Sequence, residues 1–227
     1  MMWSLIAVNV LVFLLETGLT PPQLQGVFYL FGLVPARYSA PEWAAQAGFP
    51  AAGIWPWLTH LFLHGGWLHL IGNLWMLWIF ADNVEDRMGP IRFLLFFLLC
   101  GLVAAGAHWA SNPLSTLPTV GASGAIAGVL GAYLMMYPLA RVIVMVPVLI
   151  FPFFFELPAA LFLVVWFIIN ITSGLSALSV PVPTGGVAWW AHAGGFIAGV
   201  LFYRVFLRRG GRVVYDDELG IDSGWQR

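Results

Sequence analysis

The stretch "PTVGASGAIAGVLGAY", residues 118–133, sets glycines at 121, 124, 128 and 131 beside one serine, Ser123, in an otherwise almost continuously apolar chain. Glycine is a poor helix former, about 1 kcal/mol worse than alanine, so its recurrence here needs a reason. Gly124, Gly128 and Gly131 follow i, i+4, i+7 spacing and share one face of a helix. Small residues at that spacing let membrane helices approach until their backbones touch. A matching pair, Gly195 and Gly199, follows His192 by one turn in "AHAGGFIAG", residues 191–199. Contact between these two faces would bring the Ser123 hydroxyl within hydrogen-bond range of His192, and a neighbouring base is what makes a serine nucleophilic.

Composition agrees with a membrane setting. The 227 residues are 61% hydrophobic and 8% charged, where a soluble domain carries roughly a quarter charged residues. Mean hydropathy is +0.90. Net charge is −1, which gives no sign of a nucleic-acid partner; membrane lipid is the expected surrounding. The lone Cys100 excludes an internal disulfide and reads as a packing residue. Met1 to Leu15 lacks a basic n-region and a small-residue cleavage site, so it reads as a first span rather than a signal peptide. It is short for that role, which points to residues upstream.

Six apolar runs, 2–15, 67–81, 91–110, 123–139, 157–173 and 188–207, fit a hydrocarbon core of about 30 Å once tilt is allowed. Pro147, Pro152 and Pro158 break the long apolar stretch before the fifth run, so 141–156 reads as an interfacial loop. The expectation is an all-α membrane domain over 1–209 with a long outer loop between its first two helices, and a disordered tail at 210–227. Arginines orient it. Eight (87, 92, 141, 204, 208, 209, 212 and 227) fall on the side shared by both termini, and only Arg37 on the other. Both termini are therefore expected in the cytosol. In that topology the second, fourth and sixth spans start at the outer face, bringing His69, Ser123 and His192 to similar depth.

The histidines of "THLFLHGGWLHLIGNLWML", residues 59–77, invite a metal. On one continuous helix, however, the pair His60/His64 and the pair His69/Asn73 would face opposite ways, and Gly65-Gly66 is expected to break the helix between them. His69 and Asn73 then remain as neutral donors on one face. With the free N–H of Ser123 in the first turn of its helix, they could hold a developing oxyanion. His60 and His64 read as structural and His108 as interfacial; no metal and no cofactor are expected.

Together, "GASG" at 121–124, "HGGWLHLIGN" at 64–73 and "AHAGGFIAG" at 191–199 resemble the three signatures of the rhomboid family of intramembrane serine proteases. "NVEDRMG" at 83–89 resembles the acidic-x-Arg motif that follows the family's second helix. The resemblance implies a six-transmembrane-helix bundle with a Ser123–His192 dyad. It implies an oxyanion hole of His69, Asn73 and the Ser123 amide, with Glu85 and Arg87 as a structural pair bracing the long outer loop's anchorage and the cytosolic helix ends. Ala127 stands where members often stack an aromatic ring on the histidine, so Trp189 or Trp190 is expected to support His192. Trp55-Pro56 replaces a frequent Trp-Arg pair.

No carboxylate is in reach to complete a triad: Asp82 lies about 20 Å along the helix from His69, and Glu156 is on the cytosolic side. The reading is a serine endopeptidase of a bacterial cytoplasmic membrane that cuts single-pass membrane proteins near the outer face. Its substrates would enter laterally past the fifth helix at Phe162, Trp166 and Phe167. The alternatives are a non-catalytic rhomboid-like membrane-protein binder, disfavoured because both dyad residues are present, and a histidine-lined metal transporter.

Overall fold

The computed structural model describes residues 1–50, 53–148, 151–178 and 188–208. The tail expected to be disordered lies outside them. In chain order the elements are α1 (Met2–Thr17), α2 (Pro21–Phe31), α3 (Ala36–Ser39), α4 (Pro41–Gln46) and α5 (Pro56–Thr59) with a 3₁₀ turn (His60–Phe62). They continue with α6 (Trp67–Met88), α7 (Pro90–Ser111), α8 (Ser123–Met136), β1 (Arg141–Val148), β2 (Phe151–Pro158), α9 (Ala159–Leu178) and α10 (Trp189–Phe206).

Each apolar run read as a span forms a helix. Two are by themselves long and apolar enough to cross a membrane, Pro90–Ser111 and Ala159–Ala177, with mean hydropathies of 2.1 and 2.0. Met2–Thr17 and Ser123–Met136 are apolar but shorter. α6 runs past its apolar part through Asp82, Glu85, Asp86 and Arg87, then stops at Gly89-Pro90. Proline at the first position of α7 is tolerated because its missing N–H would have no intrahelical partner there.

Two expectations are corrected. Segment 141–156 is not an irregular loop. It belongs to an antiparallel hairpin in which Arg141 pairs with Pro158 and Pro147 with Pro152, so the chain is mostly helical rather than all-α. The prolines do exclude a helix, but a two-stranded ribbon has only edge strands, where a missing N–H is harmless. The valine-, isoleucine- and phenylalanine-rich runs on either side favour strand. The hairpin is anchored at its base by Ala159 N–H to Ala140 O at 2.7 Å and Ala160 N–H to Pro138 O at 2.9 Å. The second is partial: Glu85 does tie helix ends together, but it touches no part of the outer loop and forms no ion pair with Arg87 among the described residues. Glu85 instead accepts from the Met2 N–H at 2.6 Å, at the start of α1.

α8 is the centre of the molecule: every residue from Gly124 to Tyr133 is buried. Around it pack α10, α7 and α6, with Phe80, Phe93, Phe96 and Phe97 filling the core. The glycines explain how close α10 comes. A Cβ on Gly195 would strike the carbonyl oxygen of Gly124, and one on Gly199 the carbonyl oxygen of Gly128. The seam is more divided than the periodicity suggests, because the Cβ positions of Gly124 and Gly128 point at Ala104 and Cys100 of α7. One glycine row thus admits two neighbours. Since the obstacle at Gly199 is backbone rather than a flexible side chain, Gly199→Val must push α10 away. Overpacking of this kind costs roughly 1–3 kcal/mol, which should appear as a lowered melting temperature in detergent.

The exterior inverts the soluble pattern. Leu15, Leu68, Ile91, Leu201 and Val205 are each more than half exposed, whereas polar Asn9 is fully buried and donates to Leu5 O at 2.7 Å. Extended apolar surface of this kind fits contact with lipid.

The segment between α1 and α6, expected to be a long loop, is folded. Arg37, the one arginine expected on the outer side, is buried and donates to Leu30 O at 3.2 Å and Pro50 O at 3.3 Å. Its guanidinium lies 5.4 Å from the centre of the Phe49 ring.

Candidate active site

Ser123 is the first residue of α8, so its backbone N–H has no acceptor within the helix. The segment leading to it is clamped by the chain between α1 and α6. Leu33 and Thr119 exchange backbone hydrogen bonds at 3.0 and 2.8 Å, and Gly121 N–H donates to His60 O at 2.8 Å. Gly121 adopts φ +119°, which residues with side chains rarely take, and a Cβ there would lie 2.6 Å from His69 Nε2. Glycine is required at 121 on both counts.

His192 lies near the start of α10. Its Nε2 is 2.8 Å from Ser123 Oγ, and its Nδ1 is 2.7 Å from Asn170 Oδ1 on α9. The Asn170 amide is oriented by its other end, where Nδ2 donates to Trp166 O at 2.8 Å. Its oxygen therefore faces the imidazole as an acceptor, which assigns the proton to Nδ1 and leaves Nε2 to accept from the serine hydroxyl. Ser123, His192 and Asn170 form one chain of hydrogen bonds drawn from three helices.

The ring of His192 is flanked on two sides. Trp166 lies 5.8 Å away at an interplanar angle of 33°. Trp189 meets it edge-on at 6.3 Å and 88°. Trp189 is one of the two rings expected in that role; Trp166, expected at the lateral opening, reaches the imidazole from α9. Trp190 packs instead near Gly174.

His69 and Asn73 come together beside the serine loop. Gly65 N–H points at His69 Nδ1 at 3.4 Å, so the ring proton resides on Nε2, the atom facing the hollow left by Gly121. Asn73 Nδ2 faces the same hollow, 3.5 Å from where a Gly121 Cβ would stand, and it is buried without a hydrogen-bond partner among the described residues. A buried unpaired donor is costly, and here two donors are aimed at one small space beside Ser123.

Residues 51–209 match the Rhomboid domain family. The chain belongs to the rhomboid family. It is accordingly an integral membrane protein, related to membrane serine hydrolases. It is 35% identical to the Bacillus subtilis protein YdcA over 118 residues, 50% of this chain and 58% of that one. It is 42% identical over 80 residues to the rhomboid protease GluP of the same organism, covering 35% of this chain and 15% of GluP. With the rhomboid protease GlpG of Yersinia enterocolitica it shares 31% identity over 78 residues, 34% of this chain and 27% of that one. The chain thus spans less than two thirds of the length of these relatives.

The remaining residues singled out in this rhomboid chain lie around the site. His60 is buried, its Nδ1–H donating to Pro56 O at 2.9 Å, and burial lowers its pKa to about 4, so it is a neutral brace. The His64 N–H points at the Glu16 carboxylate of α1 at 3.3 Å. The break expected at Gly65-Gly66 is present, with α6 starting at Trp67. Phe167 stacks on Phe196 at 4.7 Å and Phe162 on Phe80 at 6.1 Å, so both rings hold α9 against the bundle. The sequence reading passed over Asn170. Its signal was a single asparagine within the apolar run 157–173, and polar groups within membrane helices typically bond across helices.

Proposed function

We propose that this protein is an intramembrane serine endopeptidase with Ser123 as nucleophile and His192 as general base. The observation that carries this reading is the 2.8 Å contact between Ser123 Oγ and His192 Nε2 at the start of a buried helix. As Ser123 Oγ attacks the scissile carbonyl carbon, its proton passes to His192 Nε2. The carbonyl oxygen, now negative, is received by His69 Nε2–H, Asn73 Nδ2–H and the Ser123 amide. The C–N bond then breaks, the leaving amine takes the proton from His192, and water repeats the sequence on the acyl-enzyme.

The six long helices are read as six spans with both termini in the cytosol, which the arginine distribution supports. The active site would then lie toward the outer face. Its substrates are single-pass membrane proteins. A helical substrate hides its carbonyls in hydrogen bonds, so the scissile segment must unwind, and small or helix-breaking residues near the cut favour this. Admission is lateral, past α9, with Phe162, Trp166 and Phe167 at the opening.

The test is covalent labelling by a fluorophosphonate in detergent micelles. Labelling that disappears in Ser123→Ala is expected. Equal labelling of both proteins, or of neither, would refute the assignment.

A further inference from the structure

The geometry points to Asn170 as a positioning residue that acts through His192, an inference that rests on the dyad reading above. Three observations converge on it. Asn170 is 3% exposed on a helix whose neighbouring residues Ile168 and Ile169 are exposed and apolar, so its amide is turned inward. Both ends of that amide are engaged, Nδ2 on Trp166 O and Oδ1 on His192 Nδ1. The first contact dictates the second. An amide tethered one turn back along its own helix cannot turn its NH₂ toward the imidazole without losing that tether, so it offers His192 an acceptor only.

The consequence is a choice between two neutral forms of the imidazole. With the proton on Nδ1, Nε2 carries the lone pair that receives the Ser123 proton. With the proton on Nε2, that atom is a donor and the serine has no base. Asn170 selects the first form and holds the ring in line with Ser123. An amide suits this location better than a carboxylate, because an ionised side chain within a membrane helix is costly to bury. When His192 becomes an imidazolium during attack, the Asn170 oxygen remains its partner without a buried ion pair.

Two variants separate this role from plain helix-to-helix adhesion. Asn170→Leu keeps the shape and removes the acceptor; Asn170→Asp keeps an acceptor oxygen at the same reach. Both are reconstituted in liposomes with a single-pass substrate, and rates are referred to folded enzyme counted by tryptophan fluorescence and size exclusion. For Asn170→Leu, kcat should fall roughly 10- to 10²-fold with KM within about twofold, the scale of loss from a misaligned catalytic group. Asn170→Asp should restore most of it. ¹⁵N spectra of histidine-labelled protein, with His192 assigned by its loss in His192→Gln, should show Nδ1–H in the unsubstituted protein and an admixture of Nε2–H in Asn170→Leu.

Unchanged kcat per folded molecule in Asn170→Leu would overturn the inference. So would an equal loss in both variants that follows the melting temperature. Fluorophosphonate labelling of the unsubstituted protein tells the two readings apart: if it depends on Ser123, the dyad stands whatever Asn170 does. If it is absent, the dyad fails and the role of Asn170 fails with it.

Discussion

Ser123→Ala and His192→Ala should each reduce cleavage of a reconstituted transmembrane substrate to background, a loss of about 10⁶-fold in kcat where nucleophile and base act as one unit. The two losses should be alike and the double variant no worse, because neither group works without the other. Folding should survive. Ser123 Oγ is bonded to His192 and fills no core cavity, and α8 is held by its glycine contacts and the aromatic residues around it. Cleavage by purified enzyme in liposomes, with melting temperature alongside, is the measurement. Cleavage near that of the unsubstituted protein in either variant would remove that residue from the mechanism.

Asn73→Ala carries the second large effect. The buried Nδ2 has no partner among the described residues, so removing it breaks no hydrogen bond there and relieves an unpaired donor. If Asn73 were scaffolding, its loss would lower stability. As an oxyanion donor it should instead cost about 10²–10³ in kcat with little change in KM, at unchanged or slightly raised melting temperature. Counting sites by acylation of Ser123 would be slowed by the same substitution, so folded enzyme is counted by fluorescence. Turnover near normal with reduced yield would assign Asn73 to the scaffold.

The approach of α8 to α10 could be read from the sequence because glycine spacing is a backbone property: at Gly195 and Gly199 there is no side chain whose conformation must be known. The same spacing carried Ser123 toward His192. Asn170 was not legible in that way. The third partner of a catalytic histidine is ordinarily a charged group, whereas membrane burial favours a neutral amide. Which face of α9 turns inward also depends on packing against α10 that its nearly uniform apolar sequence does not encode. The hairpin at 141–158 is less legible because its prolines exclude helix without specifying what replaces it, and only the β-branched and aromatic residues around them favour strand. Trp166 was recognised as an aromatic at the helix surface, but its place beside His192 follows from α9 lying against α10 rather than from any spacing.

On the lateral route proposed above, the helix that a substrate passes, α9, is also the one that places Asn170 and Trp166 against His192. A helix cannot step aside for a substrate and keep hold of the imidazole at once. On that route, opening would disarm the base in the same motion that exposes the serine, an interlock with no dedicated part. Admission, reclosure and bond cleavage would follow in that order, and with α9 displaced the nucleophile would be idle toward water and passing lipid. Loosening α9 at the Phe167–Phe196 stack would then speed arrival without speeding turnover.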